Sequence, residues 1–388
     1  MQNRAGLARS DTAESLLKGG VVRVMVVDDS AVARGMLSRV IETDPELQVV
    51  AVASDGAMAV ENLKKNQVEV IVLDLEMPNM DGMTALPLLL GVNPEVKIII
   101  SSNITRQNAE LAFKAIHAGA KDYLSKPSTT SEMNSVVAYR RDLIAKIRAL
   151  AGPKRYPRVD ESALALPLQR THQTVPIYQR EKKTVVLRPL PPRHELPEMI
   201  AIGSSTGGPQ ALFAVLHELP DSFMTPIMIT QHMPATFTTI LAEHIARISK
   251  RPCFEAADGM VVEKGKIYVA PGDYHLLVES QAGQRVLRVK NTAPENFCRP
   301  SVDPMLRSII EIYKSRVLTI ILTGMGRDGQ AGCQKIVEAG GVVVAQDEAT
   351  SVVWGMPGSV ATIGLCSAVI PLPKIREFMI QYATQVTS

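Results

Sequence analysis

The chain has 388 residues, of which 46% are apolar and 21% charged, and its formal net charge is only +3. That length suits two domains, and the composition is that of a soluble globular protein with material for two cores. The weak charge imbalance and 4% aromatic content point away from nucleic-acid binding, which calls for a basic face and stacking surfaces. Cys253, Cys298, Cys333 and Cys366 are far apart and form no CxxC pair. A zinc site or disulfide framework is therefore not expected, and a reducing compartment is. No apolar run approaches the roughly 18–20 residues that span a bilayer. The first residues contain Asp11 and Glu14 and lack the apolar centre of a signal peptide. The expectation is a cytoplasmic protein that is not membrane-embedded.

In chain order, residues 1–20 are polar and irregular and read as a disordered leader. Residues 21–150 then alternate short apolar runs ("VVRVMVV", "LQVVAVAS", "VEVIVLDL", "VKIIIS", "DYLS") with segments of helical spacing. Those runs are rich in β-branched residues and lack strict alternation, as in strands buried on both faces. Five strands with intervening helices predict a doubly wound, five-stranded parallel sheet, closed by an amphipathic helix over 131–150. Residues 151–195 carry scattered prolines among basic residues and predict a semi-extended linker. Its charge fits a solvated surface better than an acidic partner's docking site. From residue 196 to 388 apolar runs again alternate with helices, including Pro209–Glu218 and Gln330–Glu338, which predicts a second, mostly parallel α/β domain. The runs assigned to it as strands include "GKIYVAPG", "YHLLVES" and "VLTIILTG".

Several of the first domain's strands end in chemically useful residues. The first ends in Asp28 and Asp29, the third in Asp74, and two others in Ser101 and Lys126. In a doubly wound sheet, ligands sit beyond the carboxyl ends of the strands. Carboxylates gathered there repel one another unless a cation lies between them, and magnesium, a hard ion, suits oxygen donors. A carboxylate flanked by a metal and a lysine suits formation of an acyl phosphate. Singly, each aspartate reads as a cap or turn residue, and Asp29-Ser30 is a plausible helix start. The ordered set "MVVDDSAVAR", "VLDLEMPNMDG", "IIISSN" and "DYLSKP" resembles the receiver domain of two-component response regulators. The resemblance implies that Asp74 is the phosphoacceptor and that Asp28, Asp29, Asp74 and the backbone carbonyl of Glu76 hold Mg2+. It assigns Ser101 and Tyr123 as switch residues and Lys126 as a contact of the phosphoryl group, and it makes Lys126-Pro127 a cis peptide. It also implies a histidine kinase as phosphodonor, because nothing in the chain resembles an ATP site.

In the second domain, Gly203-Ser204-Ser205-Thr206-Gly207 fits G-x-S-x-G between a predicted strand and a predicted helix, a turn that can present the Ser205 hydroxyl. Pro209 suits a first helical turn. A P-loop would need a lysine after Gly208, and a dinucleotide fingerprint would need glycine where Ser205 stands. The loop alone leaves open a serine nucleophile, an anion-binding loop and a structural turn. A serine needs a base and the base an orienting group. His232, in "MITQHMP", directly follows a strand and belongs on the same rim. His217 and His244 fall in predicted helices, and His275 opens a strand. Asp328, in "ILTGMGRDGQ", follows another buried strand, although aspartate in a turn is commonly structural. The chain order Ser, His, Asp differs from that of the α/β-hydrolases.

The segments "IGSSTGG", "TQHMP", "YVAPGDYH", "RPSVD", "ILTGMGRDG" and "WGMPGSV" together resemble the catalytic domain of the chemotaxis protein-glutamate methylesterases, the CheB family. Receiver, linker and esterase also follow in that family's order. The resemblance implies Ser205 as nucleophile, His232 as general base and then acid, Asp328 as the orienting carboxylate, and the Met325 N–H as an oxyanion donor. It implies no cofactor for the ester step, methylated chemoreceptors as substrates, and deamidation of receptor glutamines as a related activity. Ser204 departs from the usual alanine before the nucleophile and leaves a second hydroxyl as an alternative. Two other classes remain as rivals. A DNA-binding response regulator calls for a compact basic effector in place of this glycine-rich α/β one, and a silent phosphate-competing scaffold calls for an incomplete triad.

Overall fold

The structure is a computed structural model that describes residues 20–103, 105–126, 133–152, 185–191 and 196–385. Nearly all of the expected leader, most of the expected linker, and Pro127 of the expected cis peptide lie outside these residues. The first unit runs β1 (Val22–Val27), α1 (Ala31–Ile41), β2 (Leu47–Ala53), α2 (Gly56–Lys65), β3 (Val70–Asp74), α3 (Gly82–Val92), β4 (Lys97–Ser102), α4 (Arg106–His117), β5 (Asp122–Ser125) and α5 (Met133–Ala151). Helices α1 to α4 each open on a side-chain cap. Ser30, Asp55, Asp81 and Thr105 accept from the N–H three residues on, which satisfies a donor the helix leaves free. The strands β1, β3, β4 and β5 are buried along nearly their whole length, the edge strand β2 only at its ends, and all pair in parallel in the order β2-β1-β3-β4-β5. Strand order reverses between β1 and β3, so a crevice opens beyond their carboxyl ends, where Asp28 and Asp74 stand.

The second unit contains β6 (Met199–Ser204), α6 (Gly208–Leu216), β7 (Ile227–Gln231), α7 (Ala235–Ser249), β8 (Cys253–Glu255), β9 (Ile267–Val269), β10 (His275–Gln281) and β11 (Gln284–Lys290). It continues with α8 (Val302–Tyr313), β12 (Val317–Ile321), α9 (Gln330–Glu338), β13 (Val342–Gln346), α10 (Met356–Ala361), β14 (Ala368–Ile370) and α11 (Leu372–Thr384). Seven strands form a parallel sheet in the order β14-β13-β12-β6-β7-β9-β8. Here the order reverses between β6 and β12. Ser205 follows β6, His232 follows the neighbouring β7, and Asp328 lies in the loop after β12. Two expectations fail locally. The run "YHLLVES" belongs to a separate antiparallel hairpin, β10–β11, joined by Ala282 and Gly283 at φ 50° and 78°. Both central residues have positive φ, the backbone that matches the twist of paired strands. Helix α6 stops at Leu216, so His217 caps it instead of lying within it, because the chain turns at Glu218 with φ 46°.

The two units share one apolar cluster. Tyr123 of β5 stacks on Phe237 of α7, with ring centroids 4.3 Å apart and planes 13° apart. Phe113 of α4 packs against both Phe213 of α6 and Phe237. At the edge the Arg106 guanidinium donates to both carboxylate oxygens of Glu243 at 2.8 and 2.9 Å, and the Gln210 amide donates to the Ala120 carbonyl at 2.8 Å. The exposed ion pair contributes little stability and mainly sets the register of the contact. The buried rings carry the energy, since aromatic pairs add to the area they hide. Phe237→Ala is expected to loosen the two units: the radius of gyration from small-angle scattering rises. An unchanged radius would show that the rings do not hold them together.

Candidate functional site

At the carboxyl end of the first sheet, oxygen atoms of Asp28, Asp29 and Asp74 lie within 4.8 Å of one another. Asp28 and Asp74 are buried, and the Lys126 ammonium reaches both, at 2.7 and 2.6 Å. Burial raises the Asp74 pKa, and Lys126 offsets only part of that rise. Burial opposes the charge on Lys126 as well, but its hydrogen bonds to Asp28 and Asp74 outweigh it and the pKa is raised. Ser101 pairs in register beside Asp74 on β4. The Glu76 N–H donates to Asp74, while its carboxylate accepts from Asn108. This donor set of hard oxygens fits a magnesium ion, and the lysine fits an anionic group placed on Asp74. Tyr123, by contrast, points into the contact between the units, where burial pushes its pKa well above the usual value.

At the other site the two adjacent serines have different surroundings. Ser204 ends β6 fully buried, and its hydroxyl donates to Gln231 Oε1 at 2.7 Å. The Gln231 amide then donates to the Ser205 carbonyl at 2.9 Å. Ser205 is only partly buried and its hydroxyl bonds to no described residue, so it is the hydroxyl available to a ligand. The loop after β12 comes up against it: the Ser205 N–H donates to the Thr323 carbonyl at 3.0 Å. A Cβ on Gly324 would stand 2.9 Å from the Ser205 Cβ and 2.5 Å from Met356 Sδ, so this approach requires glycine. The next residue, Met325, has an N–H that donates to no acceptor among the described residues.

His232 is tied to the same rim, since its N–H donates to the Ser204 carbonyl at 3.1 Å. Its Nε2 lies 2.7 Å from Asp328 Oδ2. Asp328, only 2% exposed, also accepts from the Ser301 hydroxyl, the Asn296 amide and the Val302, Asp303 and Gly329 N–H groups. The Val302 and Asp303 groups open helix α8, whose positive end favours an anion. Burial would raise the carboxyl's pKa, but these donors and His232 lower it to about 2. Burial likewise disfavours imidazolium, but Cys298 and Asp328 outweigh it and push His232 up to about 10. The outer ring nitrogen, Nδ1, lies 3.4 Å from Cys298 Sγ. The imidazole and the buried carboxylate thus meet, and the Ser205 hydroxyl stands at the end of the strand between theirs, residue types and places suited to acyl transfer.

Residues 200–379 match the CheB methylesterase family, and residues 24–138 match the response regulator receiver domain. A protein-glutamate methylesterase/protein-glutamine glutaminase of Rhodospirillum centenum is 52% identical, the match covering 94% of each chain. The chain belongs to the CheB methylesterase family. A protein of the same description from Azospirillum brasilense is 51% identical over 95% of this chain and 94% of its own. The crystal structure of the Thermotoga maritima CheB methylesterase catalytic domain is 43% identical, covers 48% of this chain and 98% of that one, and superposes with a TM-score of 0.47.

In this CheB-family chain the candidate residues fall into two groups. Ser205, His232, Asp328 and Met325 share the rim of the second sheet, and Asp28, Asp29, Asp74, Glu76, Ser101 and Lys126 share that of the first. Tyr123 alone faces neither and bridges the units. His275 is a buried framework residue, bonded to the Ala293 carbonyl and the Ser301 N–H. Sequence reasoning missed Gln231, Asn296, Ser301 and Cys298. The adjoining "RPSVD" run was the only signal near the last three. Gly324→Ala is expected to slow fluorophosphonate labelling of Ser205 by about 100-fold, the cost of displacing a reacting group by an ångström. Labelling at the wild-type rate would show that the close approach at Gly324 does not set the serine's position.

Proposed function

We propose that this chain is a phosphorylation-controlled protein-glutamate methylesterase acting on chemoreceptors, and that it deamidates receptor glutamines by the same chemistry; the names of its relatives, protein-glutamate methylesterase/protein-glutamine glutaminase, support the two activities. The observation that supports this reading best is the placing of Ser205, His232 and Asp328 after the neighbouring strands β6, β7 and β12, with the imidazole fixed by a 2.7 Å hydrogen bond to a buried carboxylate. Ser205 Oγ attacks the carbonyl carbon of a glutamate γ-methyl ester while His232 takes its proton. Because Nε2 is engaged by Asp328, Nδ1 is the nitrogen that must do so. The Met325 N–H and neighbouring backbone donors hold the oxyanion, a contribution worth about 3–4 kcal/mol per donor in such sites. Methanol leaves with the proton from His232. Water, deprotonated by the same base, then hydrolyses the acyl-serine and restores the enzyme. With a glutamine substrate, ammonia leaves instead.

Control follows from the receiver. A histidine kinase supplies the phosphoryl group to Asp74. Asp28, Asp29 and Asp74, with the Glu76 carbonyl, would hold magnesium, which supplies positive charge beside the acceptor carboxylate. Lys126 steadies the new anion, and Ser101 and Tyr123 readjust around it. Tyr123 is stacked on Phe237, so its movement acts directly on the contact with the esterase unit. Val352 and Val353, beside the serine loop, also pack against the cluster that includes Tyr139 and Leu143 of α5. The resting receiver therefore lies over part of the catalytic rim.

One contact supports a second reading of the nucleophile. Cys298 Sγ, not Ser205 Oγ, faces His232 Nδ1 in this arrangement, which would make a Cys-His-Asp hydrolase. The two readings separate on methanol release from methylated receptor membranes. Ser205→Ala is expected to abolish release and Cys298→Ala to retain it, and the reverse pattern would move the nucleophile to the thiol. Release by wild type is expected to rise with a small phosphodonor. Asp74→Ala should lose that response. A variant as active with phosphodonor as wild type is would contradict control through Asp74.

A further inference from the structure

Beside the catalytic rim, residues Glu295 to Cys298 form a two-residue turn. The Glu295 N–H donates to the Cys298 carbonyl at 3.1 Å and the Cys298 N–H to the Glu295 carbonyl at 2.9 Å. The two central residues, Asn296 and Phe297, have φ 53° and 62°. Such turns select asparagine followed by glycine, because both central positions lie in the left-handed region. Asparagine tolerates that backbone. A phenylalanine there is an outlier, and a residue so placed costs on the order of 1–3 kcal/mol unless its surroundings impose it. The strain gains no burial, since Phe297 is 80% exposed.

The surroundings do impose it, and they include two of the candidate catalytic residues, Asp328 and His232. The Asn296 amide donates to Asp303 and Asp328, each at 2.9 Å. Arg307 clamps the Glu295 carboxylate with two bonds at 2.6 and 2.9 Å. Cys298 rests on His232. Phe297 is thus a rigid aromatic held out into solvent, one residue from a side chain that touches the base. Among the described residues its ring has one partner, the Arg141 guanidinium of α5, 5.1 Å from its centre. A cation beside an exposed ring is a weak contact that a substrate can displace.

We propose that Phe297 is the docking residue for the protein substrate, an aromatic peg that packs on an apolar part of the substrate helix and brings the ester to Ser205. This rests on the reading that the substrate is a methylated receptor helix. Exposed aromatics at the centre of an interface carry a disproportionate share of binding energy, and a pre-set backbone spares the cost of ordering one on encounter.

The test uses the full chain with Phe297→Ala, Phe297→Gly and Phe297→Tyr, and reads two rates. Demethylation of receptor membranes reports the substrate contact, and fluorophosphonate labelling of Ser205 reports the local machinery. Alanine and glycine are expected to raise KM for receptor about tenfold, the loss of roughly 1.4 kcal/mol of binding, with labelling unchanged. Tyrosine should restore KM. Glycine, which relieves the strained φ, should melt no lower than wild type while still losing affinity. An unchanged KM in Phe297→Gly would overturn the proposal. So would labelling that falls in step with demethylation, since Phe297 would then act through the base. A wild-type chain that labels at Ser205 but releases no methanol from receptors would instead refute the substrate reading.

Discussion

The catalytic half of the molecule depends on one buried charge. Removing a carboxylate from water costs several kcal/mol unless its lone pairs are filled. Asp328 fills them with a hydroxyl, an amide, three backbone N–H groups and an imidazole. Those donors come from the loop after β12, the start of α8, the 295–298 turn and the end of β7. One carboxylate therefore fixes the His232 imidazole, closes a helix terminus and braces the turn that carries Phe297. The same satisfaction holds its pKa near 2 despite burial. Asp328 thus stays ionised at every pH at which the chemistry runs, and its contribution to stability is lost only as pH falls from about 3.8 toward 2.

The receiver meets the esterase unit through packing. Its acidic crevice and its contact with the esterase are separate places, linked by β4 and β5. Ser101 sits beside Asp74 in register, and Tyr123, on the adjoining strand, lies within the shared apolar cluster. On the proposed reading, a new dianionic group at Asp74 need not reach the serine. It need only change the fit of a few rings, because close-packed contacts are bistable and do not yield gradually.

Much of this was legible in the sequence because both sheets are buried on two faces. Their strands read as unbroken apolar runs that stop at a polar residue, so strand ends coincide with the candidate residues Asp28, Asp74, Ser205 and His232. The β10–β11 hairpin was not legible as such, since its Ala-Gly turn lacks the usual Asn-Gly or Asp-Gly signal. The end of α6 was misplaced because the apolar spacing continues to Leu219 while the backbone turns at Glu218. The choice between Ser204 and Ser205 depended on Gln231, a residue of the next strand, and no local pattern reports that partnership. Cys298 lies 66 residues from the histidine it touches, a pairing that only the fold creates.

The histidine shows most directly whether the buried carboxylate governs the site. Nitrogen-15 NMR of labelled full-length protein would follow His232 across pH. Although burial opposes it, the contact with Cys298 and then the hydrogen bond to Asp328 predict titration above the ordinary 6.5, toward about 10, with a fall in Asp328→Asn. An imidazole so held is a stronger base but is less often unprotonated at neutral pH. Titration at or below 6.5, or a value unmoved by Asp328→Asn, would contradict the account.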